Sequence, residues 1–132
     1  MPIKFRYDAD RNILYETGEG ELSYQEFTEY RANLLAQPIR PASKALVLAD
    51  YRTARIALSS DEMWQIKKQS DEVAGFFGGA KVAIVAPDDL GFGMARMYSM
   101  VSEAGDFEVA VFKTMSEARA WLGIEEPEGD IM

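Results

Sequence analysis

Three aspartates are the side chains whose positions most suggest chemistry. Asp50, Asp88 and Asp89 each follow a short apolar run, where parallel strands of an open α/β sheet would end. The carboxyl ends of such strands form the rim at which this class of sheet binds ligands. Carboxylates there could hold a hard cation, or act as an acid and a base. Turns and helix starts also use aspartate for structural reasons, and that interpretation is favoured.

Two serines, Ser59 and Ser60, precede a predicted helix. Ser59 and Glu62 have the spacing of a capping box, in which the serine side chain accepts a helix N–H group. As phosphoacceptors, the serines would instead carry a doubly charged group at a helix N-terminus, where the helix dipole would hold it. The cap alone explains the spacing and is the favoured role.

A third group lies on the helix predicted to end near Ala104. Four of its residues lie partly off the predicted buried stripe or at its edge: Phe92, Arg96, Tyr98 and Met100. Adaptable apolar side chains on a flank suit a partner helix, a second copy of the chain or an acyl chain. Arg96 could position a carboxylate or phosphate group, or pair with a nearby acid. We expect a ligand or partner surface here, and a homodimer formed through this helix.

The composition argues against several kinds of site. The chain contains neither histidine nor cysteine, which removes disulfides and strongly disfavours zinc, haem and Ser-His-Asp sites. We therefore expect no catalytic residue, no cofactor and no metal. The net charge is −8 and no cluster of lysine and arginine follows one predicted face, so nucleic acid is not an expected partner.

Membrane and export signals are also missing from the sequence. There is no run of 18 apolar residues, and the N-terminus lacks the apolar segment of a signal peptide. We expect a cytoplasmic protein without a membrane span. Its 132 residues suit one domain, predicted over residues 1–123, followed by an acidic, disordered tail at 124–132.

Apolar runs and turn signals predict the element order ββαβαβαβα. Strands are expected at residues 3–7, 13–17, 45–49, 82–86 and 107–112. Residues 18–20 are expected to break the second strand, and residues 51–58 to form a loop. The short first connection makes the first two strands antiparallel. The uncharged runs at 45–49 and 82–86 are typical of buried, central, parallel strands. The fold class is α/β, with a mostly parallel five-stranded sheet and helices on both faces.

Four stretches, together with this element order, resemble a known family. They are LVLAD at 46–50, KVAIV at 81–85, GFGMARMY at 91–98 and SEARAWL at 116–122. Across residues 3 to 123 the chain resembles the SpoIIAA-like group of the STAS superfamily, which includes anti-sigma-factor antagonists and borders the SEC14 (CRAL-TRIO) lipid-binding folds. In those antagonists a serine at the start of the second helix is phosphorylated, within an Asp-Ser-Ser-Gly pattern. The matching residues here are Leu58-Ser59-Ser60-Asp61, without the preceding aspartate and the following glycine.

The resemblance implies a non-enzymatic regulatory or protein-interaction module. Two alternatives stay open. The SEC14 likeness would allow a carrier of a small apolar or lipid-like ligand, which needs an internal cavity. An enzyme would have to use Asp50, Asp88 or Asp89, and only their position at the strand ends favours it.

Overall fold

The computed structural model describes residues 2–39, 44–76, 79–86, 88, 91–93, 96 and 107–124. These residues contain a five-stranded sheet whose spatial order follows the chain, β1 (Ile3–Asp8), β2 (Ile13–Ser23), β3 (Ala45–Ala57), β4 (Ala80–Val85) and β5 (Phe107–Phe112). Three helices are described over their full length, α1 (Tyr24–Leu35), α2 (Ser60–Phe76) and α3 (Met115–Leu122). Helical backbone is also present at 91–93 and 96, within the helix predicted between β4 and β5.

The strand directions confirm the predicted fold class. β1 and β2 pair antiparallel, because the four-residue turn between them leaves no length for a crossover. β2, β3, β4 and β5 pair parallel with their neighbours. β3 and β4 are central, and most of their apolar residues are buried, as predicted for strands covered on both faces.

Two boundaries were predicted wrongly. β2 continues through Gly18 and Gly20 to Ser23, and β3 continues through the expected loop to Ala57. The two segments pair with each other from Glu19 opposite Thr53 to Ser23 opposite Ala57, beyond a register shift at residues 17–19. The glycines fit this irregular strand, since Gly20 adopts a φ of 72°. Most of residues 52–55 are exposed, so the sequence lacks the apolar pattern of a strand there.

The helices cover the two faces of the sheet with separate cores. α1 and α2 bury Phe27, Tyr30, Leu34, Met63 and Ile66 against one face, which includes Val47 and Ala49. α3 buries Ala118 and Leu122 against Leu48, Ala83 and Val85 on the other face. Alternate residues of β3 therefore serve opposite cores, as strand geometry requires. None of the helices in the described part of the chain is long and apolar enough to cross a membrane.

Local sequence signals set the helix ends. The Ser23 side chain accepts the Glu26 N–H group, and the Glu26 side chain accepts the Ser23 N–H group, which forms a capping box at the start of α1. Thr114 accepts the Glu117 N–H group in the same way at the start of α3. α3 ends at Gly123, which takes the left-handed conformation with φ 74°.

Candidate functional site

Asp50 is held in an ion pair. Its carboxylate accepts hydrogen bonds from the Arg52 Nε at 2.9 Å, the Arg52 Nη2 at 2.8 Å and the Arg52 backbone N–H at 3.0 Å. Burial opposes ionisation, but the hydrogen bonds and charge of Arg52, together with the charge of Arg119, hold the pKa of Asp50 below its usual value. Asp50 is therefore a charged structural partner of arginine. It lies within β3, which continues to Ala57, so its predicted position at a strand end was wrong.

Asp88 has a structural partner of its own. Asp88 accepts the Gly91 N–H group at 2.7 Å, the capping role predicted for it. Asp89 lies outside the described residues. Among the residues that the structure describes, no three acidic side chains are placed to hold a metal ion.

The structure separates the roles of the two predicted serines. The Glu62 N–H group donates to Ser59 Oγ at 3.1 Å, and the Ser59 N–H group donates to Glu62 Oε1 at 2.9 Å. Ser59 is thus the cap of α2, as the favoured interpretation expected. Ser60 is the exposed first residue of the helix. Phosphorylation of either serine stays a prediction.

The exposed face of α2 (Ser60, Trp64 and Lys68) begins at this serine. The three side chains are four residues apart, so they follow one another along one side of the helix. Met63 and Ile66 turn the opposite side into the core. Trp64 is 50% exposed and is the only large hydrophobic side chain of the described residues that is exposed. Sequence reasoning missed Trp64, which no motif singles out and whose exposure depends on how Met63 and Ile66 dock in the core.

The predicted surface on the helix after β4 is described only in part. The Arg96 guanidinium carbon lies 6.0 Å from the centre of the Phe92 ring, so these two predicted residues do come together. Lys113, which the sequence did not suggest, places its Nζ 5.1 Å from the same ring. Tyr98 and Met100 lie outside the described residues, and the homodimer stays a prediction.

A basic groove lies on the face of the sheet that α3 only partly covers. This basic groove has a volume of about 310 Å³. Four cationic side chains line it: Lys4, Arg6, Arg52 and Arg119. Tyr15, Thr17 and Asp50 also line the groove. The sequence analysis did not anticipate this groove, because no cluster of lysine and arginine follows one predicted face. These cations come from β1, β3 and α3, so no single predicted element displays the cluster; the alternation of Lys4 and Arg6 along β1 was its only local signal.

A buried carboxylate lies on the opposite face of the sheet. Glu16 accepts a hydrogen bond from the Tyr51 hydroxyl at 3.3 Å, and the Tyr30 hydroxyl is nearby without favourable hydrogen-bond geometry. Burial raises the pKa of Glu16, against the opposing effects of the Arg31 charge and the two tyrosine hydroxyls. Burial and the neighbouring Glu16 charge also raise the pKa of Tyr30. This cluster belongs to the packing of α1 on the sheet, since Tyr30 and Tyr51 are core residues there.

Comparison with solved structures gives a likeness in fold. No family model matches the sequence, and no curated protein matches it either. The fold is similar to the crystal structure of an uncharacterized protein of the DUF3478 family, with a SpoIIAA-like fold, from Shewanella loihica PV-4. That likeness has a TM-score of 0.55 and 21% sequence identity, and it covers 91% of each chain. With its antiparallel β1–β2 pair and the parallel pairing of β2 to β5, this chain has the SpoIIAA-like fold.

Proposed function

We propose that this protein is a non-enzymatic regulatory module that acts by binding a protein partner through the exposed face of α2. The observation that carries the proposal is Trp64, which leaves half of a large aromatic side chain in solvent on a helix that buries Met63 and Ile66 in the core. Tryptophan is enriched among the residues that dominate protein–protein binding energy. In the free protein this apolar surface stays in contact with water. Binding a partner would bury it and gain the corresponding hydrophobic free energy.

The contacts of Asp50 and Asp88 favour a binding role over a catalytic one. Asp50 is engaged by Arg52, and Asp88 by a helix N–H group, so both have structural partners. An acid–base mechanism needs a group whose pKa is tuned towards the working pH. The pKa of Asp50 is instead held below its usual value, against the effect of burial, by Arg52 and Arg119.

Ser60 would place a switch beside this surface. It is exposed one helical turn before Trp64, whereas the Ser59 hydroxyl is occupied in the capping box. A phosphate on Ser60 would be favoured by the helix dipole and would add negative charge beside the proposed partner contact. We propose Ser60, rather than Ser59, as the phosphoacceptor that would regulate binding.

Site-specific photo-crosslinking tests the proposal. Benzoylphenylalanine replaces Trp64 in one variant and Ser116, an exposed residue of α3 on the other face of the sheet, in a matched control. Irradiation in cells of the source organism should give a discrete protein adduct from position 64 that position 116 does not give. Adding Lys68→Glu to the first variant should weaken the adduct, because Lys68 lies on the same helix face. Identical adduct patterns from positions 64 and 116, or none from 64, would overturn the assignment of the surface.

A further inference from the structure

We propose that the basic groove binds the phosphate group, or another multiply charged oxyanion, of a small ligand. The site is separate from the exposed face of α2, because it lies on the α3 face of the sheet. It is independent of the proposed protein partner and would stand if that proposal failed.

Strand register places the groove side chains in two rows across the sheet. Lys4 of β1 pairs with Thr17 of β2, and Thr17 pairs with Asp50 of β3. Arg6 pairs in the same way with Tyr15. Neighbouring strands are about 4.8 Å apart, and alternate residues share a face, so these side chains stand close together on one side of the sheet.

α3 supplies the fourth cation and leaves the groove open. The helix contacts mainly β3, β4 and β5, and therefore does not cover the β1–β2 half of this face. Its Arg119 is only 8% exposed and lies close enough to Asp50 to lower the pKa of that carboxyl. Arg119 is thus the buried cation of the groove, while Lys4 and Arg6 are exposed.

Contacts within the groove also orient two of the arginines. Asp50 binds Arg52 through both of its carboxylate oxygens. The Arg6 guanidinium carbon lies 4.4 Å from the centre of the Tyr15 ring. A guanidinium that stacks on a ring still presents its N–H groups in its own plane, where a bound oxyanion can accept them.

The charge of the groove determines the ligand class. Among the described residues that line the groove, four are cations and Asp50 is the one carboxylate on this face, since the Glu16 side chain is bound to Tyr51 on the opposite face. A positive excess therefore remains in a chain whose net charge is −8, so this groove would attract anions that the rest of the molecule repels. Arginine matches the geometry of phosphate and carboxylate oxygens, and several cations together favour a doubly charged phosphate over a single carboxylate.

The size of the groove limits the ligand. Its volume of about 310 Å³ is at the lower end of small-molecule sites. A phosphate monoester fits this range, and so does the head group of an anionic lipid. The two sources share the same chemistry, and the experiment is designed to distinguish them.

Titration calorimetry with inorganic phosphate and glycerol phosphate tests the site in the full chain. The variant Lys4→Gln/Arg6→Gln removes two exposed groove cations, and Arg11→Gln/Arg55→Gln removes two exposed cations that do not line the groove. We expect the wild type to bind phosphate more weakly as salt is added, and the groove variant to lose about tenfold or more in affinity. The control variant should bind like the wild type. Thermal unfolding checks that both variants are folded. If Lys4→Gln/Arg6→Gln does not fold, Lys4→Gln alone takes its place.

Vesicles identify the source of the phosphate. Binding of glycerol phosphate without sedimentation on phosphatidic acid vesicles indicates a soluble ligand, and the reverse indicates a lipid head group. Both results support the site when the groove variant loses the binding and the control variant keeps it. The proposal is overturned if neither probe binds the wild type at low salt, or if the two variants lose affinity equally.

Discussion

At the scale of single residues, one glycine explains how a tyrosine reaches a buried carboxylate. A Cβ atom built on Gly18 would lie 2.6 Å from Tyr51 Cδ1 and 2.9 Å from Leu22 Cδ1. The ring of Tyr51 therefore lies directly on the backbone of β2, which brings its hydroxyl to Glu16. Neither relation could be inferred from the sequence, because Tyr51 was assigned to a loop and Gly18 to a strand break.

The change Gly18→Ala should destabilise the protein by about 1–3 kcal/mol, because the new methyl group overlaps the Tyr51 ring and Leu22. The matched control is Gly93→Ala, where no atom lies within 4 Å of the new methyl group on helical backbone. That change should be neutral or should stabilise by up to about 1 kcal/mol. Urea unfolding measures both. Equal effects of the two changes would contradict the close packing at Gly18.

Glu16 should make stability fall as the pH rises. Burial raises its pKa, more than Arg31 and the two tyrosines lower it, so the folded protein holds this proton more tightly than the unfolded chain does. The stability cost is absent below the unfolded pKa and develops as the pH rises through the folded pKa. Glu16→Gln should therefore raise the free energy of unfolding at neutral pH, with the difference from the wild type vanishing near about pH 4.

Urea unfolding across this pH range tests the Glu16 prediction, with Glu19→Gln, an exposed residue of the same strand, as the control. The control should show little pH-dependent difference. A Glu16→Gln variant that is less stable than the wild type at neutral pH, and equal to it in acid, would mean that the ionised carboxylate stabilises the fold.

At the scale of elements, the sequence predicted helix caps and strands correctly wherever the signal was local. The capping boxes depend on residues three positions apart, and the central strands on short uncharged runs, and both were predicted correctly. The ends of β2 and β3 were missed because they stabilise each other across the sheet. Leu22 and Ile56 pair there and are buried by tertiary packing. The residues before them along the chain are mostly exposed, so the sequence shows no apolar pattern that would predict a strand.

The two serines at the start of α2 should differ in their contribution to stability. Ser59→Ala removes the side-chain acceptor of the Glu62 N–H group and should cost about 1 kcal/mol. Ser60→Ala changes an exposed residue inside the helix and should alter the free energy of unfolding by less than about 0.5 kcal/mol. Chemical unfolding of the two variants side by side is the measurement. The reverse order would show that Ser60, and not Ser59, is the cap.

At the scale of the whole molecule, the candidate surfaces lie on both sides of one sheet. The exposed face of α2 belongs to the layer that α1 and α2 form, and the basic groove lies beside α3. Asp88 could be placed just after the end of β4 from the sequence, because one apolar run defines that strand, whereas Asp50 could not be placed correctly, because β3 continues beyond it. The groove could not, because Lys4, Arg52 and Arg119 meet only through strand order and the docking of α3.

The homodimer predicted through the helix after β4 can be tested directly. Light scattering at micromolar concentration should give the mass of two chains, and Tyr98→Glu/Met100→Glu should give a folded monomer, because charges in an apolar contact oppose association. Phe92 and Arg96, which the structure does bring together, belong to the same predicted surface. A double variant that stays dimeric would place the interface elsewhere, and a monomeric wild type would contradict the dimer.

The most direct test of the central claim is the affinity of the purified, cross-linked partner for the wild type and for Trp64→Ala. Calorimetry should show binding to the wild type and a loss of about tenfold or more in the variant, because the exposed tryptophan is the proposed anchor. The groove variant Lys4→Gln/Arg6→Gln should bind the partner like the wild type, since its changes lie on the other face of the sheet. Equal affinity of the wild type and Trp64→Ala would contradict the account.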